Sequence, residues 1–313
     1  MTTGAEAESR DVVAGRVAEL LALVERTLGS VLPAPDAVEL DQFASRRLVE
    51  AMRYSLGTPG KRLRPLLCLA AAEACGADPQ PLAAFASGLE MIHAYSLIHD
   101  DLPAMDDDEL RRGQPTNHIV YGDGMAILAG DGLLTEAFGV LLRPVADPAL
   151  QMRVVAEVAL AAGYTGMVGG QAADLMAEGL QAEEELLHSI HARKTGALIR
   201  SSVRAGALLG GGCDKDLATL TAFASRFGLA FQIADDVKDE IMPETVSGKT
   251  GGSDREAGKV TYPSLFGIEG SLGRCREELE LSVAALRGLG GRAAMLELVA
   301  RDSIAPVLEA AGG

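Results

Sequence analysis

Tryptophan is absent from this 313-residue chain, and aromatic residues make up only 4% of it. A β-sandwich or barrel relies on aromatic and β-branched side chains to fill its pleated faces, so the composition argues against both. The hydrophobic share is nonetheless 48%, which leaves Ala, Leu, Val and Ile to build the core and favours closely packed helices. Positive charge is also scarce: the net charge is −16. That excludes nucleic acid as a partner, because phosphate backbones call for basic surfaces. Any anionic substrate must be attracted locally.

The four cysteines, at 68, 75, 213 and 275, form no CxxC pair. Reduced thiols are expected, as in the cytoplasm. The N-terminal MTTGAEAESRD has neither a basic region nor an apolar stretch, and no run of about 18 apolar residues follows, so no transmembrane segment is expected. Strand alternation, repeats of 20 to 50 residues and composition breaks are missing as well. These absences converge on one all-α domain over residues 1–313, with about a dozen helices.

What is present concentrates in Glu90 to Gly113, EMIHAYSLIHDDLPAMDDDELRRG. Six carboxylates and two guanidiniums fall within the 13 residues from Asp100 to Arg112. Acids so close together repel one another unless cations sit among them. Mg2+ takes one or two carboxylates together with substrate phosphates, and adjacent arginines suit the same phosphates. Asp100 and Asp106 are six apart, which puts them on different faces of a continuous helix at about 100° per residue. Pro103 disfavours helix at Leu102, so the chain can loop and return Asp106 toward Asp100.

A second acidic cluster, Asp235-Asp236-Val237-Lys238-Asp239, follows the apolar run LAFQIA. Asp235 and Asp239 are i and i+4 and share a helical face. Two acid-tipped helices facing each other would hold metal ions between them.

Helical spacing of Val13, Val17, Leu20, Leu21, Val24 and Leu28 predicts a first helix, stopped by Pro33 and Pro35. A second is expected over 37–56. The loop GTPGKRLRP brings three basic residues to a helix entrance; it reads either as an anion site or as a solvated basic turn. His93 lies seven residues before Asp100, about two turns, so both look into one space. Further helices are expected over 131–142, 148–163 and 214–240, then 264–287 and 292–304. The glycines at 122, 124, 130 and 132 lack GxGxxG spacing and read as close helix packing. Gln171 and Asp174 share a face at i, i+3, and Lys194-Thr195 lies well inside a helix. About 22 residues from Met242 to Pro263 are rich in Gly, Ser and charge. A loop that long suits a lid carrying Lys249 and Lys259 toward the acids.

DDLPAMD followed by DELRRG, and DDVKD preceded by FQIA, resemble the two aspartate-rich motifs of trans-isoprenyl diphosphate synthases. GKRLRP at 60–65, Gln171 to Asp174, Lys194-Thr195 and Lys259 to Pro263 extend the resemblance along nearly the whole chain. It implies an all-α isoprenoid synthase fold around a central apolar cavity, a homodimer, and Mg2+ as cofactor, three ions per site. The substrates would be isopentenyl diphosphate and an allylic diphosphate. Residue by residue, it implies metal ligation by Asp100, Asp106, Asp235 and Asp239, with Asp101 in the catalytic set. Arg111, Lys194 and Lys259 would stabilise the departing diphosphate, with Lys249 binding substrate. Thr195 and Gln232 would aim oxygen dipoles at a carbocation. Lys61, Arg64, His93 and Arg112 would hold isopentenyl diphosphate.

Competing readings are a terpene cyclase, a catalytically silent partner subunit and a di-iron carboxylate bundle. A related cyclase would carry an Asn/Ser/Glu second motif and lack GKRLRP. A silent subunit would have lost acids, and a di-iron bundle needs paired Glu-x-x-His motifs. None of these fits. Three departures stand out: Lys238 where the family usually has an apolar residue, expected to point outward or else to pair with an aspartate and weaken metal binding; a tail without a basic end; and the wording IMPETVSGKTGG. Tyr95 lies about 7.5 Å along the helix from Asp100, with small Ser96 beside it. A phenol there resembles bacterial farnesyl diphosphate synthases and is expected to floor the cavity for a C15 product. C20 is the main competitor, and C10 the lesser one.

Overall fold

In the computed structural model, residues 4–38, 44–180, 183–241 and 259–311 are described. Of the lid expected from Met242 to Pro263, residues 242–258, with Lys249, fall outside them. The helices are α1 (Gly4–Val31), α2 (Ala44–Gly57), α3 (Leu63–Ala74), α4 (Ala83–Asp100), α5 (Asn117–Tyr121), α6 (Asp123–Leu141) and α7 (Pro148–Ala162). Then come α8 (Met167–Ala177), α9 (Glu184–His191), α10 (Ala197–Leu209), α11 (Asp214–Ile241), α12 (Tyr262–Ala285) and α13 (Ala294–Ala310). The all-α expectation holds. α11 packs along α12, α4 along α6, and α3 along α10.

Several boundaries differ from the sequence reading. Residues 35–37 are a 3-10 turn rather than the start of α2. α6 begins at Asp123, eight residues early, because its glycines are contact points rather than breakers. A Cβ on Gly130 would come 2.1 Å from His99 Nε2, and one on Gly132 2.9 Å from the Met52 sulfur. α12 starts at Tyr262 because Thr261 and Ser264 form a reciprocal capping box. α13 runs through Pro306 to Ala310. A two-residue hairpin, β1 (Leu110–Arg111) with β2 (Gln114–Pro115), pairs Arg111 with Gln114. Its turn residues Arg112 and Gly113 have φ of 54° and 76°, the positive values that a tight hairpin turn needs.

The core is Leu- and Ala-rich, with Phe85, Phe223 and Phe227 among its largest fully buried side chains. By length and composition α6 and α11 are long and apolar enough to cross a bilayer, which the sequence reading did not anticipate. Both pack among the other helices here, and α11 carries three aspartates in its last two turns.

Candidate active site

One cavity of about 1200 Å³ collects most of the singled-out residues. Its walls come from the loop before α3, from α4, α8 and α11, from the segment leading into α12, and from α13. Asp100 and Asp106 stand on one side, and Asp235 and Asp239 on α11 line the same space. The return predicted for Asp106 is present: its backbone N–H donates to the Asp100 carbonyl at 2.9 Å. Lys259 Nζ donates to Asp106 Oδ1 at 3.0 Å, which holds the entrance to α12 against the first cluster. Among the described residues, no three carboxylate, His or Cys groups lie close enough to form a ready-made ion cage. The donor set still fits Mg2+, which takes one or two carboxylates per ion and completes its shell with phosphate and water.

Asp101 faces the other way. It is 3% exposed and accepts from Arg111 Nε at 2.6 Å, while Arg111 Nη2 reaches Asp108 at 3.2 Å. Burial alone would weaken the guanidinium's hold on its proton, but Asp101 and Asp108 more than offset it and raise the pKa. Arg111 thus ties the acidic loop together while its edge reaches the cavity.

The basic loop is anchored by its central arginine. Arg62 adopts φ of 47°, is 3% exposed, and is clamped by Glu25 at 2.7 Å and Glu90 at 3.2 Å. This buried clamp was not legible in GKRLRP. It lets Lys61 and Arg64, on either side, open onto the cavity. Arg64 is buried, its Nε has no partner among the described residues, and its burial lowers its pKa to about 10. His93 has a buried Nδ1 with no partner among the described residues; burial and then Arg64 hold its pKa well below the usual value. Arg112 donates to the Pro59 carbonyl at 2.9 Å, next to Gly60, whose missing Cβ leaves room for the guanidinium. Lys61 donates to the Ser303 carbonyl of α13 at 3.0 Å. The tail without a basic end therefore contributes backbone.

Lys238 corrects an expectation. It does not point outward but lines the cavity. Lys61 has a lowered pKa, from desolvation first and then from Lys238, against Asp235.

Lys194 and Thr195 sit in a π-helical stretch, Ala192–Gly196, between α9 and α10. Such bulges break the regular 3.6-residue period and are frequent at functional sites. Here both residues line the cavity. Gly170 on α8 allows this: a Cβ there would come 2.2 Å from the Lys194 backbone nitrogen. Lys194 pairs with Asp174 at 2.6 Å, and despite burial its pKa is raised by Asp174 and Asp100. Thr195 Oγ1 donates to Gln232 Oε1 at 2.5 Å. The Gln171 Oε1 is buried at the same wall with no partner among the described residues.

Tyr95 and Ser96 both line the cavity. Tyr95 is 5% exposed and meets His99 edge-on at 5.8 Å, and burial and then Asp100 push its pKa up to about 12. His99, to which sequence reasoning assigned no role, faces the Ile127 carbonyl of α6 with Nε2 at 3.0 Å. His191 was missed altogether. It is 5% exposed, stacks on Tyr262 at 5.5 Å, and lines the cavity. Its only sequence signal was its place three residues before Lys194.

Residues 45–285 match the family model described as polyprenyl synthetase. The chain belongs to the polyprenyl synthetase family. It is 48% identical over 245 residues to the farnesyl diphosphate synthase of Geobacillus stearothermophilus, covering 77% of this chain and 82% of the relative. Against the geranylgeranyl diphosphate synthase of Cyanophora paradoxa the identity is 46% over 253 residues, covering 80% and 82%. Among solved structures, an FPP/GFPP synthase from Zymomonas mobilis superposes with a TM-score of 0.81 at 35% identity, over 94% of this chain and 99% of that one. The fold is therefore the all-α isoprenoid synthase fold, and this polyprenyl synthetase is a trans-prenyltransferase.

Proposed function

We propose that the enzyme condenses isopentenyl diphosphate with dimethylallyl or geranyl diphosphate, with a C15 product. The observation that carries this reading is the sharing of one cavity of about 1200 Å³ by both acidic clusters, two basic groups and the Tyr95 floor. Mg2+, held by Asp100 and Asp106 on one side and Asp235 and Asp239 on the other, would neutralise the allylic diphosphate and its charge on departure. Lys194 and Lys259 add fixed positive charge at the same place, and Arg111 presents its edge there. Thr195 and Gln232 face the allylic cation with oxygen. Lys61, Arg64, His93 and Arg112 form the second diphosphate site, where the preset Arg62 clamp reduces the cost of ordering the loop. The apolar walls exclude water, which would otherwise capture the cation.

A single domain is part of the proposal, supported by Ser303 and Val307 of α13, which line the same cavity as residues of α4 and α11. A homodimer is part of the proposal. Ile119 and Val120 on α5, with Ile127 and Leu128 on α6, are exposed apolar residues, and the Ile127 carbonyl meets His99 on the helix that carries Asp100. A second copy seated there would brace the acidic helix, which sedimentation of Ile127→Asp tests by its shift to monomer.

The deciding experiment supplies isopentenyl diphosphate with each allylic diphosphate and measures product chain length. A C15 product from both allylic substrates supports the reading. A C20 product would move the enzyme to the geranylgeranyl class, the relationship that also appears among its relatives.

A further inference from the structure

Asp235 and Asp236 are neighbours on α11, and at about 100° per residue they cannot face the same way. Asp235 is exposed, whereas Asp236 is 4% exposed. Asp236 Oδ2 accepts the backbone N–H of Tyr262 at 3.0 Å and lies 3.5 Å from His191 Nε2. Asp236 Oδ1 accepts from Gln232 Nε2 at 3.0 Å, one turn back. At the far end of that amide, Gln232 Oε1 meets Thr195 Oγ1 at 2.5 Å.

These contacts fix the direction of every bond in the row. A carboxylate accepts at both oxygens, so the amide must turn its NH2 end to Asp236. That leaves Oε1 for Thr195. Two oxygens at 2.5 Å need a proton between them, and only the hydroxyl has one. Thr195 must therefore donate to Gln232, which leaves its lone pairs for the cavity it lines.

We propose that Asp236 is a positioning residue, not an ion ligand, and that it sets the hydrogen-bond polarity of Gln232 and Thr195 so that oxygen lone pairs face the cavity. This rests on the prenyl-transfer reading, in which a cation forms there. Dipoles oriented before the reaction need no reorganisation when charge develops. His191, stacked on Tyr262, closes the far side of the carboxylate.

Asp236→Asn provides a sharp test because it compels reversal rather than permitting it. The Tyr262 N–H requires an acceptor, so the new amide turns its oxygen there and its NH2 toward Gln232. Gln232 must then present Oε1 to residue 236 and NH2 to Thr195, whose hydroxyl accepts and turns its proton to the cavity. With the full chain, the expected result is a fall in kcat of about 100-fold, similar to loss of one oriented dipole in an active site, with KM for both diphosphates little changed. Mn2+ binding to the free enzyme, read by electron paramagnetic resonance, should match wild type, whereas Asp235→Asn weakens it. Adding Gln232→Glu to Asp236→Asn restores an acceptor for both neighbours and should recover at least about tenfold in kcat. Thr195→Val, which leaves Asp236 and the Gln232 oxygen in place, should lower kcat without changing KM, and combined with Asp236→Asn it should lower kcat by less than the product of the two single losses.

Mn2+ binding weakened by Asp236→Asn as much as by Asp235→Asn would overturn the proposal. So would wild-type kcat in that variant, or no recovery when Gln232→Glu is added to it. A wild-type enzyme that elongates no allylic diphosphate in the same assay would instead defeat the prenyl-transfer reading itself.

Discussion

The Lys259 ammonium lies 3.0 Å from Asp106, a residue 153 positions earlier, and both side chains are mostly buried, at 13% and 15% exposure. A fixed cation thus stands against a carboxylate assigned to ion binding. Lys259→Met should tighten Mn2+ binding to the free enzyme, because the ion no longer competes with an ammonium. The same variant should lose about 100-fold in turnover, because the departing diphosphate loses a positive partner. Asp106→Ala, like Asp100→Ala and Asp235→Ala, should lose both ion binding and several orders of magnitude in turnover. Near-normal turnover in EDTA would sink the ion-assisted mechanism.

Arg111 and Arg112 are adjacent but differently engaged. Arg111→Lys loses the fork shared between Asp101 and Asp108, so urea unfolding should show a loss of about 2 kcal/mol. Arg112 donates to the Pro59 carbonyl beside the proposed second diphosphate site. Arg112→Lys should raise KM for isopentenyl diphosphate about tenfold with unfolding unchanged. A change confined to the allylic KM would refute that assignment.

Tyr95 is a testable floor. It lines the cavity and is backed by His99, while Leu175 and Ala172 of α8 add to the same walls. Tyr95→Ala should lengthen the product beyond that of wild type, read by chromatography of the dephosphorylated alcohols. An unchanged distribution would assign the depth to α8.

Gly170 has a structural and a functional consequence in one variant. In Gly170→Ala the new methyl would lie 2.2 Å from the Lys194 backbone nitrogen, and backbone cannot swing aside as a side-chain tip can. Thermal and urea unfolding should show a loss of about 3 kcal/mol. Residual folded enzyme should have low kcat, because Lys194 and Thr195 are displaced together.

Two buried histidines predict an acid-side loss of stability. Burial lowers the pKa of His191 from 6.5 to about 3 and holds that of His93 well below its usual value. Both therefore stay neutral in the fold while the unfolded chain takes up protons below about pH 6.5. The unfolded state then binds more protons, so stability rises with pH across this window and is flat above it. Urea unfolding at pH 7.5 and 5.5 should differ, with up to about 1.4 kcal/mol per pH unit from each histidine. The dependence should flatten in His191→Asn. A wild-type slope of zero would contradict the neutral assignment.

Much of the site was legible in the residues themselves. Six acids in thirteen positions repel one another unless cations sit among them, and in the fold Arg111 and Lys259 stand against three of them. Pro103 foretold the loop that returns Asp106. The i, i+4 spacing of Asp235 and Asp239 foretold their shared face, and the lack of aromatic residues foretold helices. Other features carried no local signal. Arg62 reads as one basic residue among three, yet Glu25 and Glu90 bury it. Asp101 and Asp236 read as members of acidic clusters, yet both are turned to protein partners.

Helical periodicity determines the angles among side chains on one helix, and composition determines that helices will pack. Both are properties of the chain alone, and they pointed to acids, basic residues and a Tyr95 that share one cavity. Which neighbour each face meets depends on elements far apart in sequence. Lys238 turned inward because α11 is rotated to place it beside Lys61. Thr195 became a donor because Gln232 and Asp236 lie across from it. The π-helical stretch at Ala192–Gly196 lies against α8, where Gly170 leaves room for its backbone. Those outcomes belong to the tertiary structure, because an interaction between two helices is set by both partners and is written in neither.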